Sequence, residues 1–234
     1  MAQNPNAMVL SMLQAKVGSA DWSQWQIHRW QFYDYVRYVN GTTNIQLFTN
    51  ATGSTDPNSL LQKTLEQTNM PKSGTFGQVY FIVNQIRCHV SILPKVRQLS
   101  QVQSDTTFCS GAIGDAATAV NDLFRRGVLT WTIGQKMYQQ IERPFLAAPP
   151  GFGIEIEQIS AARATPVIIP RQSYFSQDVW TLTPPQMVEP EQNFTLNIQF
   201  DTAAPTITVS ESGTRVLNTD IGVIFDGYIA RPAQ

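Results

Sequence analysis

The sequence predicts an all-β fold, a sandwich or barrel, on three observations. Short segments with strand character recur at near-regular spacing through the second half of the chain. Turn residues separate nearly all of them, and only one helical pattern stands between strands, too few helices for alternating strand-helix units. With 234 residues, 42% of them hydrophobic, the chain can bury a core without metals or disulfides.

Taken in order, residues 1–20 read as a polar N-terminal extension whose apolar patch, Met8 to Leu13, orders against something else. Residues 21–234 form the β domain, with 115–127 as a place where two β lobes could divide. The stretch from Trp22 to Val39 is so rich in aromatics that strand and helix periods both fit, and Asn40-Gly41 ends it with a turn signal. A short strand over 44–49 leads into an exposed loop at 49–59. The clearest early strand is 79–93, with Tyr80, Ile82, Ile86, Cys88, Val90 and Ile92 on a core face and Gln85, Arg87, His89 and Ser91 on a wet one. One short helix is expected near 115–126. Asp115 caps it, Ala116, Val120, Leu123 and Phe124 form its stripe, Arg125 and Arg126 lie in its last turn, and Gly127 ends it.

Strands then follow at about 128–133, 136–142, 154–159, 165–169, 178–183, 194–200, 205–209 and 221–230. In the first, Leu129, Trp131 and Ile133 face one way, and Gly134 permits the tight turn into the second. In NFTLNIQFD, Phe194, Leu196, Ile198 and Phe200 alternate with Thr195, Asn197, Gln199 and Asp201, the period of a half-buried strand.

Charged residues make up 14% of the chain against roughly 25% in an average domain, with Gln, Thr, Asn and Ser filling the gap. Interface cores are depleted in charge, so this composition suits a subunit surrounded by copies of itself, and equally an extracellular-type β domain. A net charge of −1 supplies no footprint for nucleic acid or an anionic membrane. The N-terminus lacks the positive region of a secretory signal, and no window reaches the length of a membrane span. Cys88 and Cys109 allow at most one bridge, which the sequence does not decide.

Catalytic patterns are weak. KSGTFGQVY is similar to the tail of a kinase glycine-rich loop, but Lys72 replaces its first glycine and no catalytic-loop motif follows. Cys88 and His89 are strand neighbours and point to opposite faces, and His28 is distant in sequence. Two Cys and two His without ligand spacing predict no metal, and no cofactor is expected. Glu155 with Glu157, and Glu189 with Glu191, would each project from one strand face about 7 Å apart, which keeps a glycosidase reading open. Asn40, Asn50 and Asn193 head N-x-T triplets that matter only in a secretory compartment.

Three segments together resemble the jelly-roll coat proteins of tailless icosahedral bacteriophages. They are GVLTWTIGQKMYQQIERPFLAAPPGFG, a hairpin running into a proline-closed loop; WTLTPPQMVEPEQNFTLNIQF, a strand delivered through a Pro-Pro turn into a long alternating strand; and the closing IGVIFDGYIARPAQ. The resemblance implies a non-enzymatic capsid subunit built on a jelly-roll β-sandwich. One elaborated jelly roll is favoured, its eight strands all lying beyond Gly127, over two fused and reduced ones. The partners implied are copies of itself and other virion proteins, with no direct nucleic-acid contact and an internal membrane as a neighbour in some relatives. The implied location is the virion, after assembly in the host cytoplasm. Residues expected at subunit contacts are Met8, Leu10, Leu13, Trp22, Trp25, Glu142, Arg143, Phe145 and Arg231. The alternative is a carbohydrate-binding or adhesive sandwich, resting on Trp22, Trp25, Trp30 and Tyr33.

Overall fold

A computed structural model describes residues 5–18, 25–39, 41–57, 60–91, 126–142, 154–157, 167–170, 179–202, 208–211, 213–216 and 220–232. Helix α1 spans Pro5–Val17 and is followed by twelve strands: β1 (Trp25–Arg37), β2 (Asn44–Leu47), β3 (Tyr80–Ser91), β4 (Val128–Ile133), β5 (Lys136–Glu142), β6 (Ile154–Glu157), β7 (Val167–Pro170), β8 (Trp180–Val188), β9 (Phe194–Gln199), β10 (Thr208–Glu211), β11 (Gly213–Val216) and β12 (Asp220–Pro232). The predicted helix at 115–126 and Cys109 lie outside the described residues.

Eight strands form two four-stranded antiparallel sheets, β1-β12-β3-β8 and β2-β9-β4-β5. Their pairs are nested: β4 with β5, β3 with β8, β2 with β9 and β1 with β12. The chain thus behaves as one long hairpin whose tip is the turn at Gly134, with β6–β7 and β10–β11 as separate two-stranded hairpins. Strands from both sides of 115–127 contribute to both sheets and alternate in the first. The eight strands expected beyond Gly127 therefore do not make a sandwich of their own: β1, β2 and β3 supply three of the eight places.

Alternation explains the core. Ile45, Ile198, Leu129 and Ile141 form one cross-strand row of the second sheet, and Leu47, Leu196 and Trp131 lie in the next. All seven are buried against the first sheet's Phe81, Val223 and Phe225. Aromatic rings fill the centre, with Phe48 stacked on Phe225 at 5.0 Å and Phe76 on Phe194 at 4.4 Å between centroids. Phe48 and Phe76 come from the connection between β2 and β3, which places its apolar residues between the sheets.

Two open readings are resolved and two expectations are corrected. The ambiguous aromatic stretch is strand β1, paired with β12 from Trp25↔Pro232 to Arg37↔Asp220. The N-terminal patch belongs to α1, whose Val9 and Leu13 pack with Ile82 and Ala230 of the first sheet. In β3 a bulge at Asn84 shifts the alternation by one residue, because Gly227 pairs with Val83 while Asp226 pairs with Gln85. Phe81 and Val83 consequently join Ile86 and Cys88 in the central core, while Tyr80 and Ile82 face α1. Lastly, Pro184 and Pro185 do not separate two strands: edge strand β8 runs from Trp180 to Val188, with Leu182 to Pro185 left out of the pairing where the register jumps from Gln85↔Thr181 to Val83↔Gln186.

The two ends of the sandwich differ. Arg37, Asn44, Ser91, Val128, Glu142, Gln199 and Asp220 lie at one end, so the connections β1–β2, β3–β4, β5–β8 and β9–β12 all leave from it. The other end carries the turns at Gly134 and at residues 189–193, together with the crossing 48–79.

Candidate subunit interface

Among the residues nominated for subunit contacts, Glu142 and Arg231 are exposed, Met8, Leu10 and Trp25 are half-buried, and Leu13 is buried. Leu13 meets the chain's own sheet rather than another copy. Trp25 also packs at home, 5.8 Å from the Tyr80 ring beside α1, and Arg231 Nε donates to Gln26 Oε1 across the strand pair at 3.3 Å. Trp22, Arg143 and Phe145 lie outside the described residues. Of the described residues, Leu13 and Trp25 are therefore engaged with the chain's own sheet.

The outer faces of the two sheets differ in chemistry. On the first sheet α1 covers one half, pinned by its core contacts and by the Lys16–Glu189 ion pair. On the other half Asp226 is a node: Arg29 donates to both its oxygens at 3.2 and 3.0 Å, Gln31 at 2.9 Å and Arg87 at 3.2 Å. Burial alone would raise the Asp226 carboxyl, but the hydrogen bonds from Arg29 and Gln31 and the charges of Arg29 and Arg87 hold it below the usual carboxylate range. A carboxyl depressed on folding adds stability above its unfolded pKa of about 3.9 and loses it as pH falls through the folded value. Asp226→Asn is therefore expected to lower the urea midpoint at pH 7, with the gap to the native chain closing from about pH 4 downward. A gap that stays constant into acid would show that Asp226 does not titrate in this way.

The second sheet's outer face carries hardly any charge. Gln46, Asn197, Thr130 and Gln140 lie in one row across all four strands, and Asn44, Gln199, Val128 and Glu142 form the next. Thr195, Thr132 and Met137 make a third. Each amide and hydroxyl both donates and accepts, so the surface can meet a copy of itself without like-charge repulsion. At its edge β5 exposes Met137 (56%) and Tyr138 (37%), and Lys136 Nζ lies 5.8 Å from the Tyr138 ring centroid. Tyr138 is the extra residue of a bulge, since Trp131 pairs with Gln139 and Thr132 with Met137. That bulge blunts the edge against simple strand addition.

Beside the edge strands β1 and β2 a groove of about 280 Å³ is lined by residues of both strands and by the start of the crossing 48–79. Arg37, Asn44, Gln46, Asn50 and Asp56 line it over a floor that includes Val36 and Ile45. Arg37 Nε donates to Asp220 at 2.8 Å.

The nominated chemical groups are placed as follows. Glu189 and Glu191 lie in the β8–β9 turn and not on a strand, paired with Lys16 and Lys72 respectively. Cys88 is a free buried thiol that burial pushes up, and His89 sits on the opposite face, its ring 5.7 Å from Tyr35. His28 is exposed on β1. The side chains of Glu155 and Glu157 lie outside the described residues, although β6 holds both in one strand. Among the described residues no group of three His, Cys, Asp or Glu is placed to hold a metal.

One polar cluster was not foreseen. Asp34 lies at the core-facing position between Phe32 and Val36 and is 0% exposed, as is the Lys63 side chain whose Nζ is 2.6 Å from Asp34 Oδ1. Asp34 Oδ2 accepts the Phe48 amide at 2.6 Å. An acid in the apolar phase of Phe32-x-Asp34-x-Val36 was the signal in the sequence, since a buried charge requires a partner.

Compared with known proteins, the chain matches no family model and no curated protein sequence.

Proposed function

We propose that the chain is a coat subunit: one jelly roll that packs beside copies of itself in a closed shell. The observation that carries this reading is the nested pairing of eight strands wound over two sheets, β1-β12-β3-β8 and β2-β9-β4-β5. A long antiparallel hairpin rolled up in this way is how a jelly roll protects its strand edges, and shells are a common use of that architecture. Because a fold alone does not fix a function, the surface has to supply the rest. The nearly uncharged rows of the second sheet, with Met137 and Tyr138 at their edge, suit repeated contact between like subunits. Other virion proteins are the further partners, and the weak net charge leaves genome contact to something else.

Size-exclusion chromatography with light scattering tests the reading. The native chain is expected to form closed symmetric oligomers, and Gln140→Glu combined with Gln46→Glu, two exposed positions at opposite edges of one row, should shift them toward monomer by placing like charges on facing copies. Surface changes of this kind alter stability by about 0.5 kcal/mol or less, so the double variant should keep its melting temperature. A native chain that is monomeric at every concentration would overturn the proposal.

A second reading, a carbohydrate-binding sandwich, draws on the groove at Arg37, Asn44, Gln46 and Asp56, whose amides and charges over an apolar floor match hydroxyl-rich ligands. A glycan array with Asn44→Ala as control would reveal it.

A further inference from the structure

We propose that Lys63 and Asp34 form an intramolecular amide cross-link, Nζ to Cγ, in the mature protein. The geometry is that of two reactants already confined together. Lys63 Nζ sits 2.6 Å from Asp34 Oδ1, and both side chains are 0% exposed. A nucleophile held one hydrogen bond from a carboxyl carbon, with no translational freedom left to lose, gains the large effective concentration of an intramolecular reaction.

The surroundings supply what the condensation needs. The reactive forms are a neutral amine and a neutral acid, and a water-excluded core disfavours the separated charges of the ion pair. Desolvation raises the Asp34 carboxyl, opposed by the charge and hydrogen bond of Lys63 and by hydrogen bonds from Phe48 and Thr68. A proton moving from the ammonium to the carboxylate along the 2.6 Å contact generates both neutral partners. Nζ then attacks Cγ. The Nζ–Cγ bond forms, the Cγ–Oδ1 bond breaks, and Oδ1 leaves as water with the acid proton and one amine proton. No oxidant, reductant or further reactant enters. The Phe48 amide, 2.6 Å from Oδ2, stabilises charge on that oxygen during attack and remains as donor to the product amide oxygen.

The link would join the centre of β1 to the crossing 48–79 and lock Phe48, Met70 and Phe76 into the core. It is independent of what the sandwich does.

Intact mass spectrometry of the purified full chain tests it. The expected mass is that of the sequence less one water, and a protease digest should contain one branched peptide joining the segments around Asp34 and Lys63. Lys63→Met should restore the mass calculated from its own sequence. A native mass equal to that of the sequence, with Asp34 and Lys63 recovered in separate linear peptides, would overturn the proposal, as would a water loss mapped to any other pair. The native protein alone decides the question if the variant fails to fold.

Discussion

Asp34→Ala is expected to destabilise the fold by about 3–5 kcal/mol, the cost of leaving a buried cation without its counter-charge. Lys63 has no exposed surface on which to find water, and the Phe48 amide loses its acceptor in the same step. Lys63→Met is expected to cost less, because the carboxyl left behind can take a proton and still accept the Phe48 amide. Urea denaturation of the two variants checks this order. The order holds whether the two side chains are an ion pair or an amide, since both variants lose a cross-link equally. Equal losses, or a larger loss for Lys63→Met, would contradict the role assigned to Asp34.

Gly227→Ala is expected to cost about 3 kcal/mol, at the upper end of what overpacking a core does. A Cβ on Gly227 would lie 2.0 Å from the Ile82 carbonyl oxygen and 2.9 Å from its carbon, and both are backbone atoms that no rotamer change can move. The close approach arises beside the Asn84 bulge, where β12 and β3 change register. Gly134→Ala is the control. It meets nothing within 4 Å, but its φ of 60° strains any side chain, so a loss near 1 kcal/mol is expected. Thermal unfolding of both variants should separate a packing clash from simple backbone strain, and similar losses would show that the bulge relaxes.

The parts of the fold that the sequence made legible are those governed by period alone. Strand β9 and the β4–β5 hairpin follow from the alternation of Phe194, Leu196 and Ile198 and of Leu129, Trp131 and Ile133, with Gly134 between the hairpin arms. Alternation assigns faces but not partners, so nothing local indicated that β1 pairs with β12 from the far end of the chain. It also fails where the backbone adds a residue. At Asn84 the side chains change faces with no change in composition, which moved Tyr80 and Ile82 to the wrong side. In α1, Val9 and Leu13 stand four apart, the spacing of one helix face, but Met8, Leu10 and Met12 spread apolar character around the helix, so no single covering face stood out. The proposed contact surface was the least legible part. Its neutral character belongs to rows that cross four strands, and such rows exist only once the register is set.

Negative-stain electron microscopy of the purified chain, across a rising concentration series, tests the proposed shell function most directly. Rings or closed particles of uniform diameter are the predicted result. A field of single, unassociated subunits at every concentration would contradict it.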